Sequence, residues 1–153
     1  MKEALLYLAT QAKSGPVRVA FIGSVSRTWF SDWDTACVVM EIMRDTAMFM
    51  PVHSDPRGFD FVMSEVAKLI GLACVVYPAE GNDEQGRALR DAEMLEGVSL
   101  VVAFPPEPTE EEKIERPWTE ADPRLAPVVK MLQLPVLVVR RSGATSWIPG
   151  DET

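Results

Sequence analysis

The run Ser99-Leu100-Val101-Val102-Ala103-Phe104 shows little polar alternation, so a strand made from it must be covered on both faces. A sheet with helices on each side provides that cover. Four further strand candidates, Val17 to Ile22, Ala47 to His53, Ala73 to Tyr77 and Leu134 to Val139, alternate with stretches of helical period. This alternation predicts an α/β chain: a three-layer Rossmann-like domain with a mostly parallel five-stranded sheet and right-handed crossovers. A length of 153 residues fits one such domain, residues 1–153, and can bury its core.

Helices are expected over Lys2 to Lys13, from about Ser31, over Gly58 to Leu72, over Gly86 to Glu96 and over Leu125 to Leu132. Ser14-Gly15-Pro16 stops the first, Ser31 or Asp32 can cap the second, and Gly97 follows the fourth as a C-terminal glycine. Pro51 removes a ladder donor from the second strand and predicts a bulge or an early strand end there. The segment 105–124 is Pro-rich and carries the acidic run Glu107-Pro108-Thr109-Glu110-Glu111-Glu112; it reads as a solvated, partly extended excursion. The tail from Arg140 to Thr153 reads as surface or oligomer-contact chain.

Charge narrows the partners. The formal net charge of -8 argues against broad binding to a polyanion, and no nucleic-acid motif is present. No run approaches the ~20 apolar residues of a membrane span, and the N-terminal apolar run is too short and broken for a secretory segment, so a cytoplasmic protein is expected. Cys37 and Cys74 read as small buried thiols of a reducing compartment. With His53 as the sole histidine and no ligand-spaced pair, neither a structural metal nor a required cofactor is expected.

Candidate chemistry gathers where strands hand over to helices. Gly23 and Ser24 end the first strand, where a residue without Cβ lets a phosphate approach backbone amides, and Arg27 can add a charge-assisted contact. His53 ends the second strand and leads into Arg57, Gly58 and Asp60: Arg57 can meet an anion, Gly58 permits close approach, and Asp60 can accept from ribose hydroxyls or brace Arg57. Acids are also favoured in a helix's first turn by the macrodipole, which is the plainer account of Asp60. Arg87 and Arg90 gain nothing from the dipole in the front half of a helix, so an anionic ligand or salt bridges must favour them. Glu93 can brace an arginine or act as a general acid or base.

In this order, a strand followed by Gly-Ser and then Arg and Trp, a His-x-x-x-Arg-Gly-x-Asp junction, an Arg-x-Ala-Glu-Met helix and a Val-Val-Ala-Phe-Pro strand end resemble the YspA-type (YpsA-related) branch of the SLOG superfamily. The resemblance covers roughly Val17 to Phe104 and the strand near Val136. It implies a Rossmann-like fold that binds a nucleotide or nucleotide derivative, and with the apolar N-terminal residues it favours a homo-oligomer. The chain departs from that pattern at Val25-Ser26 and at Ser54-Asp55-Pro56.

Three functions follow as expectations. One is a sensor, carrier or sequestering protein for a nucleotide-derived small molecule. A second is a nucleotide-processing hydrolase similar to Lonely Guy phosphoribohydrolases, whose Pro-Gly-Gly-x-Gly-Thr segment is here replaced by Pro105-Pro106-Glu107-Pro108-Thr109-Glu110. The third is a ligand-free scaffold for subunit contact.

Overall fold

A computed structural model describes residues 1–24, 26–27, 30–54, 59–77 and 84–153, with backbone alone for Phe30, Ser31, Phe59 and Asp60. The chain runs α1 (Lys2–Ala12), β1 (Val17–Gly23), α2 (Phe30–Thr46), β2 (Phe49–Ser54), α3 (Phe59–Leu69), β3 (Val75–Tyr77), α4 (Glu84–Leu95), β4 (Val98–Phe104), α5 (Ala126–Met131), β5 (Val136–Val139) and β6 (Thr145–Ile148). One sheet in the order β3-β2-β1-β4-β5-β6 holds the strands together. β1 to β5 pair in parallel, and β6 runs antiparallel to β5.

Side chains along each central strand divide between two apolar layers, as a period of two requires. Val19, Phe21, Leu100, Val102, Phe104, Leu137 and Val139 join Leu8, Met40, Met63 and Val66 from α1, α2 and α3. Their neighbours Ala20, Ile22, Val101, Ala103, Val136 and Val138 join Met94 and Leu95 from α4 and Val129 from α5. The chain steps outward from β1 to β3 and then returns past β1 to β4. With one hand of crossover throughout, that reversal sends the later helices to the opposite face, which accounts for the division into two layers.

Several expectations need correction. The sheet has six strands, because Thr145–Ile148 folds back on β5 as a hairpin. The tail is therefore part of the fold: Trp147 lies 5.5 Å from Tyr7 of α1, ring centroid to centroid, and Ile148 packs against the second layer. The two expected segments around the third strand shift as well: β3 holds three residues, so Cys74 precedes it, and α4 begins at Glu84. Neither cysteine is in a disulfide among the described residues, and both are only half-buried, packed at the margin of the first layer.

Pro51 neither bulges nor ends β2. It pairs opposite Val19, while pairing with β3 starts only at Val52. On the β3 side, a missing donor at Pro51 therefore falls outside the ladder. The irregularity lies elsewhere, between Arg18 and Val19 on the β4 side of β1. The acidic excursion is also anchored, since a 3-10 turn at Trp118–Ala121 buries Trp118, Ala121 and then Leu125 in the second layer.

Two glycines mark where the backbone leaves no choice. Gly97 adopts φ +73 at the end of α4, a left-handed conformation that terminates the helix. At Gly150 an added Cβ would stand 2.0 Å from the Gln133 carbonyl oxygen, at the entry to β5. Gly150→Ala should lower stability by about 1–3 kcal/mol in urea unfolding, because the backbone must move apart to admit a methyl group. An unchanged midpoint would show that the C-terminal segment does not pack there.

Candidate functional site

Where a parallel sheet reverses its strand order, the loops leaving the two adjacent strands turn to opposite faces and a crevice opens between them. Here that place is the carboxyl end of β1 and β4. The backbone N–H of Ser24 donates to the Phe104 carbonyl at 3.0 Å, extending the β1–β4 ladder by one step to the crevice edge. Ser24 then accepts from the Ser26 N–H at 3.3 Å on its side-chain oxygen, and from the Arg27 N–H at 3.1 Å on its carbonyl. This tight turn aims Arg27 back over the sheet.

Arg27 is wholly buried. Its Nε and Nη2 donate to Asp32 Oδ1 at 3.0 and 2.8 Å, and its Nη1 donates to the carbonyls of Val139 at 2.8 Å and Pro105 at 3.3 Å. The guanidinium carbon also lies 5.5 Å from the Phe104 ring centroid, within cation–π range. One side chain thus ties the β1 exit to the ends of β4 and β5.

A second arginine completes the arrangement. Arg141 donates from Nε to Asp32 Oδ1 at 3.3 Å and from Nη2 to Asp32 Oδ2 at 3.2 Å, while its backbone N–H donates to Glu107 Oε1 at 2.6 Å. The same Glu107 oxygen stands 3.8 Å from Arg27 Nη1. The result is a ring of four residues, Arg27, Asp32, Arg141 and Glu107, in which three links join opposite charges and the fourth is the Arg141 backbone N–H on Glu107. Burial pulls the Arg27 pKa down and Arg141 adds to this, whereas Asp32 and Glu107 oppose it. A guanidinium still holds its proton at any pH at which the chain is folded.

Sequence reading aimed Arg27 outward at a ligand; its donors are instead spent within the chain. Asp32 likewise does more than start a helix, since its carboxylate holds both arginines. Asp32, Glu107 and Arg141 were not among the expected site residues. Their only local trace is the Arg140-Arg141 pair directly after an apolar strand, and separations of up to 109 residues conceal the rest.

The other expected residues divide four ways. Gly23 and Ser24 stand at the β1 exit beside the end of β4. His53 is buried on the neighbouring β2, where its Nδ1 lies 2.6 Å from the Ser54 carbonyl; since a carbonyl only accepts, Nδ1 carries a proton. Arg57 and Gly58 lie outside the described residues, bracketed by the end of β2 at Ser54 and the start of α3 at Phe59, and the Asp60 side chain lies outside them too. The last pair, Arg90 and Glu93, sits in the later half of α4, and Glu93 is exposed.

Arg90 belongs to a separate cluster. Its Nε and Nη2 donate to Asp91 Oδ1 at 2.9 and 2.7 Å, and both charges act on Asp122. Asp122 Oδ1 accepts from the backbone of Arg124 at 3.1 Å and Leu125 at 3.2 Å, capping the turn into α5. Burial pushes the Asp122 carboxyl above its ordinary 3.8 and the Asp91 charge adds to this, against the two backbone donors and Arg90. The α4 pair thus acts on the turn into α5 through charge alone.

Two hollows lie elsewhere. One of about 570 Å³ is lined by Glu111, Glu112, Glu115 and Glu120 with Lys113 and Arg116, a charge balance that repels phosphate. The other, about 320 Å³, lies between Met1, the Val38 and Ile42 face of α2, and the β5–β6 hairpin. Among the described residues, no group of three or more His, Cys, Asp or Glu side chains could hold a metal ion, and no helix is long and apolar enough to cross a membrane.

The folded chain binds the Asp122 proton more tightly than the unfolded chain does. That contribution favours folding below 3.8 and is lost as pH rises through the raised folded value. Asp122→Asn keeps an acceptor oxygen without the charge, so its stability relative to wild type should rise between acid and neutral pH, while Asp122→Ala should cost about 0.5–2 kcal/mol through the lost cap. Urea unfolding at several pH values checks both, and a wild-type-to-Asn difference that stays constant with pH would contradict the assignment. Comparison with protein-family profiles, with curated proteins and with solved structures returned no match for this chain.

Proposed function

We propose that the chain binds a nucleotide or nucleotide-derived small molecule at the carboxyl ends of β1, β2 and β4, as a sensor, carrier or sequestering protein. The observation that carries this reading is the strand order, which reverses between β1 and β4. Open α/β sheets take ligands in the crevice at such a reversal. Gly23 and Ser24 edge that crevice, and the starts of α2 and α3 lie on the same side of the sheet as the ends of β1 and β2 that feed them. Helix starts with free N–H groups suit a phosphate.

The SLOG-type resemblance supports the ligand class; by their chemistry Arg57 can meet an anion and Asp60 can accept from ribose hydroxyls or brace Arg57. Exposed Leu6 on α1 and Val38 and Ile42 on α2 support the associated expectation of a homo-oligomer.

Arg57→Ala should weaken binding of adenosine monophosphate by roughly ten- to a hundredfold in calorimetric titration, the effect of losing one hydrogen bond to a charged group. Its unfolding midpoint should not move. Equal affinity in the two proteins would remove Arg57 from the site.

A further inference from the structure

We infer that the Glu107 carboxylate is a built-in competitor: it occupies the anion position between Arg27 and Arg141, and a phosphate monoester enters by displacing it. The inference rests on the ligand class proposed above and adds how the site is regulated.

Three observations converge on Glu107. First, its surroundings are those of a bound anion. One oxygen accepts from the Arg141 backbone N–H at 2.6 Å and lies 3.8 Å from the Arg27 guanidinium. That Arg27 nitrogen already donates to Val139 and Pro105, so it acts on Glu107 through charge alone. Second, Glu107 is the replaceable member of the ring. Asp32 is wholly buried and held by both guanidinium groups, whereas the Glu107 side chain is 24% exposed and comes from the irregular segment after β4. Third, donors remain for a larger anion. The Arg141 side chain is a third exposed, and its Nη1 makes no hydrogen bond among the described residues.

Charge balance makes the exchange workable. With Glu107 in place the ring carries two positive and two negative groups; with Glu107 withdrawn it carries one net positive charge. A dianionic phosphate brings more charge than a carboxylate and more acceptor oxygens to the same donors. The neighbouring acids, Glu110, Glu111 and Glu112, hold the loop's own potential negative, which favours its departure once a second anion occupies the ring.

The test is calorimetric titration of wild type, Glu107→Gln and Glu111→Gln with adenosine monophosphate and, separately, inorganic phosphate. Glu107→Gln keeps an oxygen for the Arg141 N–H and removes only the competing charge. It should bind at least about tenfold tighter than wild type. Glu111→Gln removes the same charge from the exposed loop and should stay within about twofold. Wild type that binds while Glu107→Gln gains no more than Glu111→Gln would overturn the competitor and leave the proposed ligand standing. No binding of either probe by any of the three proteins would overturn both. A further readout needs no variant: phosphate added to ¹⁵N-labelled wild type should shift the Arg141 amide resonance, and an unmoved Arg141 signal under conditions where phosphate binds would also overturn the competitor.

Discussion

The buried pairing of Arg27 with Asp32 is the contact on which the carboxyl edge of the sheet depends. A guanidinium taken out of water is costly unless its charge and donors are all met. Here an aspartate from the first turn of α2 meets the charge, and the carbonyls of Pro105 and Val139 accept from Nη1. Removing one partner of such a pair generally costs about 3–5 kcal/mol, because the other charge is left buried and uncompensated. That asymmetry makes the pair a strong geometric constraint. The exits of β1, β4 and β5 and the start of α2 must keep their relative positions or lose contacts to the same side chain.

The constraint bears directly on function. A switch point in a parallel sheet opens a crevice because the backbone diverges there, yet an empty crevice does not select a ligand. The four-residue ring sits at the ends of β1, β4 and β5 beside that switch point, with Asp32 holding both guanidinium groups and Glu107 bound by the Arg141 backbone N–H. Asp32 is a fixed part of the scaffold, and Glu107 is held more lightly, at the edge of solvent. By contrast, the acids of the Arg90–Asp91–Asp122 cluster have local duties: Asp91 pairs with its neighbour Arg90, and Asp122 caps the turn into α5.

Most of the layered architecture was legible in the sequence, because each central strand is apolar on both faces and each helix starts or stops at a residue with a physical reason to do so. Gly97 ended α4 as its conformation requires. The sixth strand was missed since Thr145-Ser146-Trp147-Ile148 is short, mixed in polarity and placed after two arginines, all features of surface chain. Its pairing partner β5, and the packing of Trp147 on Tyr7, supply what local pattern lacks. The second strand's proline was overread for a related reason: whether a missing donor matters depends on how far the neighbouring strand extends.

The site was less legible. Gly23 and Ser24 were found because a glycine after a strand is a local signal. Arg27 was found for its charge, but which way it faced was decided by Asp32, Glu107, Val139 and Arg141, residues that no spacing rule connects to it. Charged networks assembled from three distant segments are fixed by topology, and topology was inferred only as far as a parallel sheet.

The most direct test of the account is amide hydrogen exchange with and without adenosine monophosphate. Protection is predicted at residues 23–27, 54–59 and 140–141, the segments that leave β1, β2 and β5 at the carboxyl edge. Exchange that is unaltered at the edge, or protection found only around Asp91 and Asp122, would contradict it.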